Sequence, residues 1–364
     1  MKRLTFKKKM IIVISLIVLI AAAMAAYIII EDPFEFKKAE ETTTENLIAP
    51  ENNTEVEEPV VEDTSIKIVD VNSKTRPYAV VVNNTPVAVK VQTGLNKAYM
   101  VYEIPTEGNT SRLMALYKDI NEDFTIGTIR SSRHDFIDYA LESNAIFVHF
   151  GWSHYAEDDQ KAGSINYING LFDSGFWRNN PENLASEHTA YTSIAKIKEE
   201  IQQKGFKTEA NTAEETILLN YSHDDINLSE NTDATVANSV TLSYDGNQNV
   251  TTFVYDDATK MYKRQEMGKD CIDHETGENV TTKNIIIEKL TYSVCSDPKY
   301  WDLNTTGSGD GYYITNGYAV PIKWSKSSRS SKTVYTYLDG TEINVNDGRT
   351  YIELQTTSQK TNIE

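Results

Sequence analysis

The chain has 364 residues, and 53 acidic against 35 basic side chains give it a formal net charge of -18. A field of that sign repels nucleic acid, anionic lipid and anionic wall polymer from the surface as a whole, so any bound anion must be met by a local basic cluster. Hydrophobic residues make up 40% and charged residues 24%, a composition that excludes wholesale disorder.

Lys2, Arg3, Lys7, Lys8 and Lys9 form a basic tail, residues 1–9, ahead of an uncharged apolar run from Met10 to Ile30. About 20 apolar residues at 1.5 Å each cover the roughly 30 Å of a bilayer core, so residues 10–30 are expected to be a single transmembrane helix. Glu31 and Asp32 follow it. Positive charge before the helix and acid after it place the N-terminus in the cytoplasm and the body outside the cell. The apolar run continues through Tyr27–Ile30, past the small residues where a cleaved signal would turn polar. Residues 31–69, rich in Glu and Thr with Pro33, Pro50 and Pro59, read as an acidic disordered linker.

The fold class expected beyond it is α+β: a mixed α/β domain at 70–207, then a mainly antiparallel β domain at 208–355, with 356–364 as a tail. Strands are predicted at 77–82, 100–104, 112–117, 124–129 and 144–150. Phe136, Ile137, Ala140 and Leu141 predict a helix over 134–142; Ile194, Ile197 and Ile201, with Gly205 as the stop, predict another over 192–204. After residue 208 alternating strands dominate, at 235–244, 249–255, 262–265, 284–292, 311–315, 318–324 and 333–338. Asp245-Gly246-Asn247, Asn316-Gly317 and Asp339-Gly340 mark turns. Gly307-Ser308-Gly309-Asp310-Gly311 reads as a flexible connection, because no helix follows it to receive a phosphate.

The densest polar region lies in the first domain. Arg130-Ser131-Ser132-Arg133 sits between a strand and a helix start, with Arg112 at another strand end and His188 further on. Arginine forks bind carboxylate or phosphate in bidentate fashion. Arg112, Arg130, Ser131, Arg133 and His188 are therefore ligand-binding candidates; the competing reading is a structural network with Glu103, Glu107 and Asp138. Glu103 and Glu107 have the residue types of a glycosidase acid and base, though Pro105 is expected to break the strand between them, and His149 is a further catalytic candidate. Gly151-Trp152-Ser153 half resembles a nucleophile elbow, without its second glycine or an evident helix. Trp177, Trp301 and Trp324 are possible sugar platforms, with packing as the default. Cys271 and Cys295 leave a disulfide open and form no zinc signature. No metal site and no cofactor are expected.

The run Arg76 to Asn84, Gln92-Thr93-Gly94-Leu95, Val101-Tyr102-Glu103, Glu107-Gly108, Ser111-Arg112 and Gly127 to Arg133 resembles the YerB-like lipoproteins of Gram-positive bacteria. So do Thr276-Gly277, Asn284 to Ile287, Gly307-Ser308-Gly309, Asn316-Gly317, Trp324-Ser325-Lys326, Asp339-Gly340 and Gly348-Arg349-Thr350. The resemblance spans about residues 75–355. It implies a two-domain extracytoplasmic protein and supplies no catalytic residue. This chain departs from the pattern in lacking a lipobox cysteine, in His134 where the family has proline, and in Glu187-His188-Thr189 where it reads Pro-His-Asn.

The expected function is a membrane-anchored binding or scaffold module at the cell envelope. Its partners would be the membrane, through the N-terminal helix, and a cell-wall polymer or envelope protein, with no nucleic acid. The alternative is an envelope hydrolase or transferase using the Glu/Arg cluster; whether the protein is an enzyme is left open.

Overall fold

The computed structural model describes residues 65–108, 110–244 and 248–364. The basic tail, the transmembrane segment expected at 10–30, the linker up to residue 64 and the turn Asp245-Gly246-Asn247 lie outside the described residues. Among the described residues no helix is long and apolar enough to cross a membrane. The folded body begins within the expected linker: the backbone N–H groups of Lys67 and Ile68 donate to the Asp347 carboxylate at 2.7 and 2.9 Å, and Val69 is buried.

An eleven-stranded sheet organises the body. Its central strands are β1 (Tyr78–Asn83), β2 (Met100–Thr106), β3 (Thr110–Tyr117), β4 (Ile146–His149), β5 (Asn284–Leu290) and β6 (Thr350–Thr356). β1 is buried at every position, as its unbroken apolar run from Tyr78 to Val82 requires of a strand covered on both faces. It pairs antiparallel with β3 and parallel with β4. β6, from the end of the chain, runs parallel to both β2 and β5. The change of sequence character near residue 208 therefore coincides with no break in the sheet.

One face of the sheet packs Val80, Val82, Leu113 and Ala115 against Val240, Phe253 and Tyr262 of a second, six-stranded sheet. Helix α3 (Ile194–Lys204) lays Ile194, Ile197 and Ile201 on that same core, and Gly205 ends it in the left-handed region, φ 65°. The other face receives Phe136, Ile137 and Ala140 of helix α1 (His134–Glu142) and Ala156 of helix α2 (His154–Lys161).

Several local expectations differ from the structure. α2 was not expected; Ser153 caps it, its hydroxyl accepting from Ala156 N at 3.3 Å. β2 continues through Pro105, because its ladder with β6 ends at Glu103 and a missing N–H costs nothing on that side. Gly307–Thr315 is one strand rather than a flexible connection, and two of its glycines serve close approach: a Cβ on Gly309 would lie 2.7 Å from Lys289 O, and one on Gly311 2.1 Å from Ile287 O. The tail holds Lys360–Ile363, paired with Ser239–Ser243 in the second sheet. Cys271 and Cys295 are both free thiols.

Polar groups are sealed into both faces. Neighbouring Glu103 on β2 and Glu353 on β6 point at the second sheet, where Arg264 Nη2 donates to Glu103 Oε2 at 2.9 Å and Tyr244 donates to Glu353 Oε2 at 2.6 Å. On the opposite face Tyr139 and Tyr335 donate to Glu288 of β5. Burial, with Glu142 adding to it, pushes Glu288 up to about 7 against the pull of those hydroxyls.

Two outcomes follow from this architecture. Because both segments build one sheet, a chain nicked by protease between residues 207 and 233 should keep its two fragments co-eluting under native conditions; separation without denaturant would contradict the shared ladder. The second outcome concerns pH. The folded state holds a proton on Glu288 that the unfolded chain releases near 4.5. That contribution, on the order of 3 kcal/mol, is fully present below the unfolded value and is lost as pH rises through about 7. Thermal unfolding should therefore show stability falling from pH 5 to pH 8 in the wild type and falling less in Glu288→Gln.

Candidate functional site

Three of the five ligand-binding candidates, Arg112, Arg130 and Arg133, meet where β1 ends and β3 begins. Asn83 and Arg112 are direct partners across that pair. The loop carrying Arg130 to Arg133 is laced to the sheet by Arg130 N to Val81 O at 3.0 Å, Phe150 N to Arg130 O at 2.9 Å and Ser132 N to Gly151 O at 2.9 Å. Its guanidinium groups thus project from a fixed backbone.

Glu107, in the β2–β3 turn, is the carboxylate that Arg133 and Arg112 share. Arg133 grips it in a fork, with Nε donating to Oε2 at 2.7 Å and Nη2 to Oε1, and Arg112 Nη2 stands 3.8 Å from Oε1. Burial alone would raise the Glu107 carboxyl; its bond to Arg133 and the charges of Arg133 and Arg112 hold it below its ordinary value instead. It is ionised near neutral pH, which suits an ion-pair partner and not a general acid. Arg112 is pushed down from its ordinary value by burial and then by the like charge of Arg133. Its Nη1 donates to the Ser131 carbonyl.

Arg130 differs from the other two. Nη1 donates to the carbonyl of Glu187 at 3.0 Å, Nε is buried with no partner, and among the described residues no carboxylate lies within ion-pair distance of it. Burial lowers it, with Arg133 adding repulsion against the attraction of exposed Glu187. Arg178 stands close by, its guanidinium 4.8 Å over the Phe150 ring and bonded to the Ser186 carbonyl. The balance of the cluster is positive.

The remaining candidates fall into other roles. Ser131 uses its hydroxyl on Phe150 O at 3.0 Å and presents its carbonyl to Arg112. His188 accepts from Asn83 Nδ2 at 2.8 Å, and burial together with Arg130 lowers it, so it stands neutral at the rim. His149 is buried, and burial lowers it to about 4. Its ring nitrogens meet Gly151 O at 2.8 Å and Gln160 Oε1 at 2.7 Å, and Gln160 in turn bonds Ser132 Oγ. His149 is thus a strut under the arginine loop. Glu103 is separated from Glu107 altogether: it is fully buried with Arg264, Asn84 and Ser111. A facing carboxylate pair is not formed.

Trp324 is buried, Trp301 lies 4.8 Å from Tyr292, and Trp177 stacks 6.3 Å from Tyr191. Among the described residues one group brings three candidate metal ligands together, His134, Asp135 and Asp302, whose donor atoms lie within 4.8 Å of one another in a cleft of about 450 Å³. Sequence reasoning assigned no metal, and pattern could not have joined Asp302 to a helix start so distant in the chain.

The arginines can be separated by stability. Arg130→Ala strands no carboxylate and should change unfolding free energy by less than about 1 kcal/mol. Arg133→Ala removes both direct bonds to half-buried Glu107, leaving it Arg112 alone at 3.8 Å, and should cost on the order of 3 kcal/mol. Equal losses in denaturant titrations would mean that Arg130 belongs to the same structural network.

Residues 64–207 match the N-terminal domain, and residues 240–352 the C-terminal domain, of the family described as "Protein of unknown function (DUF3048)". "Putative lipoprotein YerB" of Bacillus subtilis (strain 168) is 33% identical over 271 residues, covering 72% of this chain and 77% of that one. The crystal structure of YerB protein from Bacillus subtilis superposes with a TM-score of 0.68 at 29% identity, over 80% of this chain and 95% of that one.

Proposed function

This chain belongs to the two-part DUF3048 family, and from that premise we propose that it is an extracytoplasmic binding module at the cell envelope whose site is the arginine cluster around Glu107. The single observation that carries the reading is the imbalance of charge there. Arg112 and Arg133 share one carboxylate, Glu107, while Arg130 beside them has no carboxylate within ion-pair distance among the described residues and keeps a buried Nε without a partner. In a protein of net charge -18, a fixed positive cluster of this kind is where an anion is favoured. Its forks fit a carboxylate or phosphate carried by an envelope polymer.

Location rests on two supports. The lipoprotein description of the Bacillus relative fits a body held at the outer face of a membrane. In this chain residues 10–30 supply the means, as a single-pass anchor with the basic tail in the cytoplasm. The positions of Glu103, Glu107 and His149 favour binding over hydrolysis, since the first is sealed, the second ionised and the third a strut.

Co-sedimentation of the full-length chain with purified cell walls tests the proposal. Wild type should bind, with affinity falling as salt rises. Arg130→Ala should bind at least tenfold more weakly while unfolding at the same temperature. Undiminished binding by Arg130→Ala would remove the cluster as the site.

A further inference from the structure

We infer that the anion is borne on a sugar ring, which stacks on an aromatic shelf made by Trp152 and Phe172 beside the arginines; this rests on the anion-binding reading above. The Trp152 backbone bridges to Ser132, and Ser153 N donates to Ser132 O at 3.2 Å, so the chain carrying the indole is tied to the residue between Ser131 and Arg133; the indole itself packs 5.8 Å from His149 and 5.6 Å from Tyr167. Phe172 lies 5.6 Å from Trp152, ring centre to ring centre. It is 72% exposed, the most exposed large hydrophobic side chain among the described residues, and its neighbour Leu171 is 53% exposed.

The exposure belongs to a built loop. Asn169 Oδ1 accepts from Gly151 N at 2.9 Å and Leu171 N at 3.1 Å, while Asn169 O accepts from the N–H groups of Phe172 and Asp173 at 2.9 Å each. Asp173 closes the ring of contacts by accepting from Asn169 N at 2.7 Å. Gly151 joins shelf to arginine loop at φ 84°, where a Cβ would come within 3.0 Å of Ser131 Oγ. An apolar pair held out in water by so many bonds marks a contact surface.

Its neighbours decide what it contacts. A second copy of a chain at -18 is repelled at long range, whereas an anion is drawn to the adjacent guanidinium groups. The electron-rich face of an aromatic ring accepts the C–H face of a pyranose. A carboxylate or phosphate on the same ring is the group suited to the adjoining arginine loop, where Arg130 has no carboxylate partner among the described residues. An acidic glycan satisfies both halves of the surface; a bare anion satisfies one.

Titration calorimetry on the full-length chain separates these halves with three probes: peptidoglycan strands stripped of their peptides, whose rings carry lactyl carboxylates; neutral chitotriose; and inorganic phosphate. Wild type should bind the strands more tightly than either other probe. Phe172→Ala should weaken strand binding at least tenfold with phosphate binding unchanged, and Phe172→Tyr should restore it. Arg130→Ala should weaken both. Strand binding unaltered in Phe172→Ala, or strands bound no better than phosphate, overturns the shelf and leaves the anion site standing. A wild type that binds neither strands nor phosphate overturns the anion site as well.

Discussion

The insertion of β6 between β2 and β5 is the constraint on which the rest of the body depends. Both edges of that strand are occupied by parallel ladders, one to each part of the chain. Parallel neighbours cannot be joined by a tight turn, so the pairing brings together residues some 250 positions apart in sequence, as in Met100 with Thr350. Every strand outward from β2, including β1 and β3 whose ends carry the arginine site, takes its place from that junction.

Insertion has an electrostatic consequence. It sets Glu103 and Glu353 side by side away from water, an arrangement two ionised carboxylates cannot hold alone. Arg264 answers them from the facing sheet, and Tyr244 caps the second. Replacing such a buried pair by apolar residues is often neutral for stability, whereas removing one partner alone is costly; here the bond ties β2 to the facing sheet. The arginine site is the opposite case: three cations, one carboxylate, near the surface. The molecule holds its surplus of acid in one place and of base in another, and the second is the one open to a ligand.

Legibility in the sequence tracks how local the cause is. β1, β3, α1 and α3 were readable because apolar periodicity within a dozen residues sets them, and Asn316-Gly317 because its turn needs positive φ at both residues, 49° and 79°. α2 was hidden because His154 to Lys161 carries little apolar signal, and its cap Ser153 read as a failed elbow. β6 was hidden too: no strand was expected over Thr350–Thr356, where Thr, Glu and Gln interrupt the apolar residues, yet every residue of it is buried. The clustering of Arg112, Arg130 and Arg133 was legible as proximity to strand ends. That Glu103 leaves the group while Glu107 joins it was not, because Glu107 lies beyond the strand end, in a turn whose direction strand alternation does not set.

By itself the sequence determined the charge, the expectation of an anchor, most helix and strand positions, and the family. Periodicity, turn chemistry and composition act over short stretches of chain, and they survive without knowledge of what lies opposite. Tertiary structure alone decided that the two halves share one sheet, that His149 is a strut, that Arg130 is the guanidinium without a carboxylate, and that Phe172 stands out beside Trp152. Each of those depends on a partner distant in sequence or on burial, and neither quantity is written in any local pattern of residues.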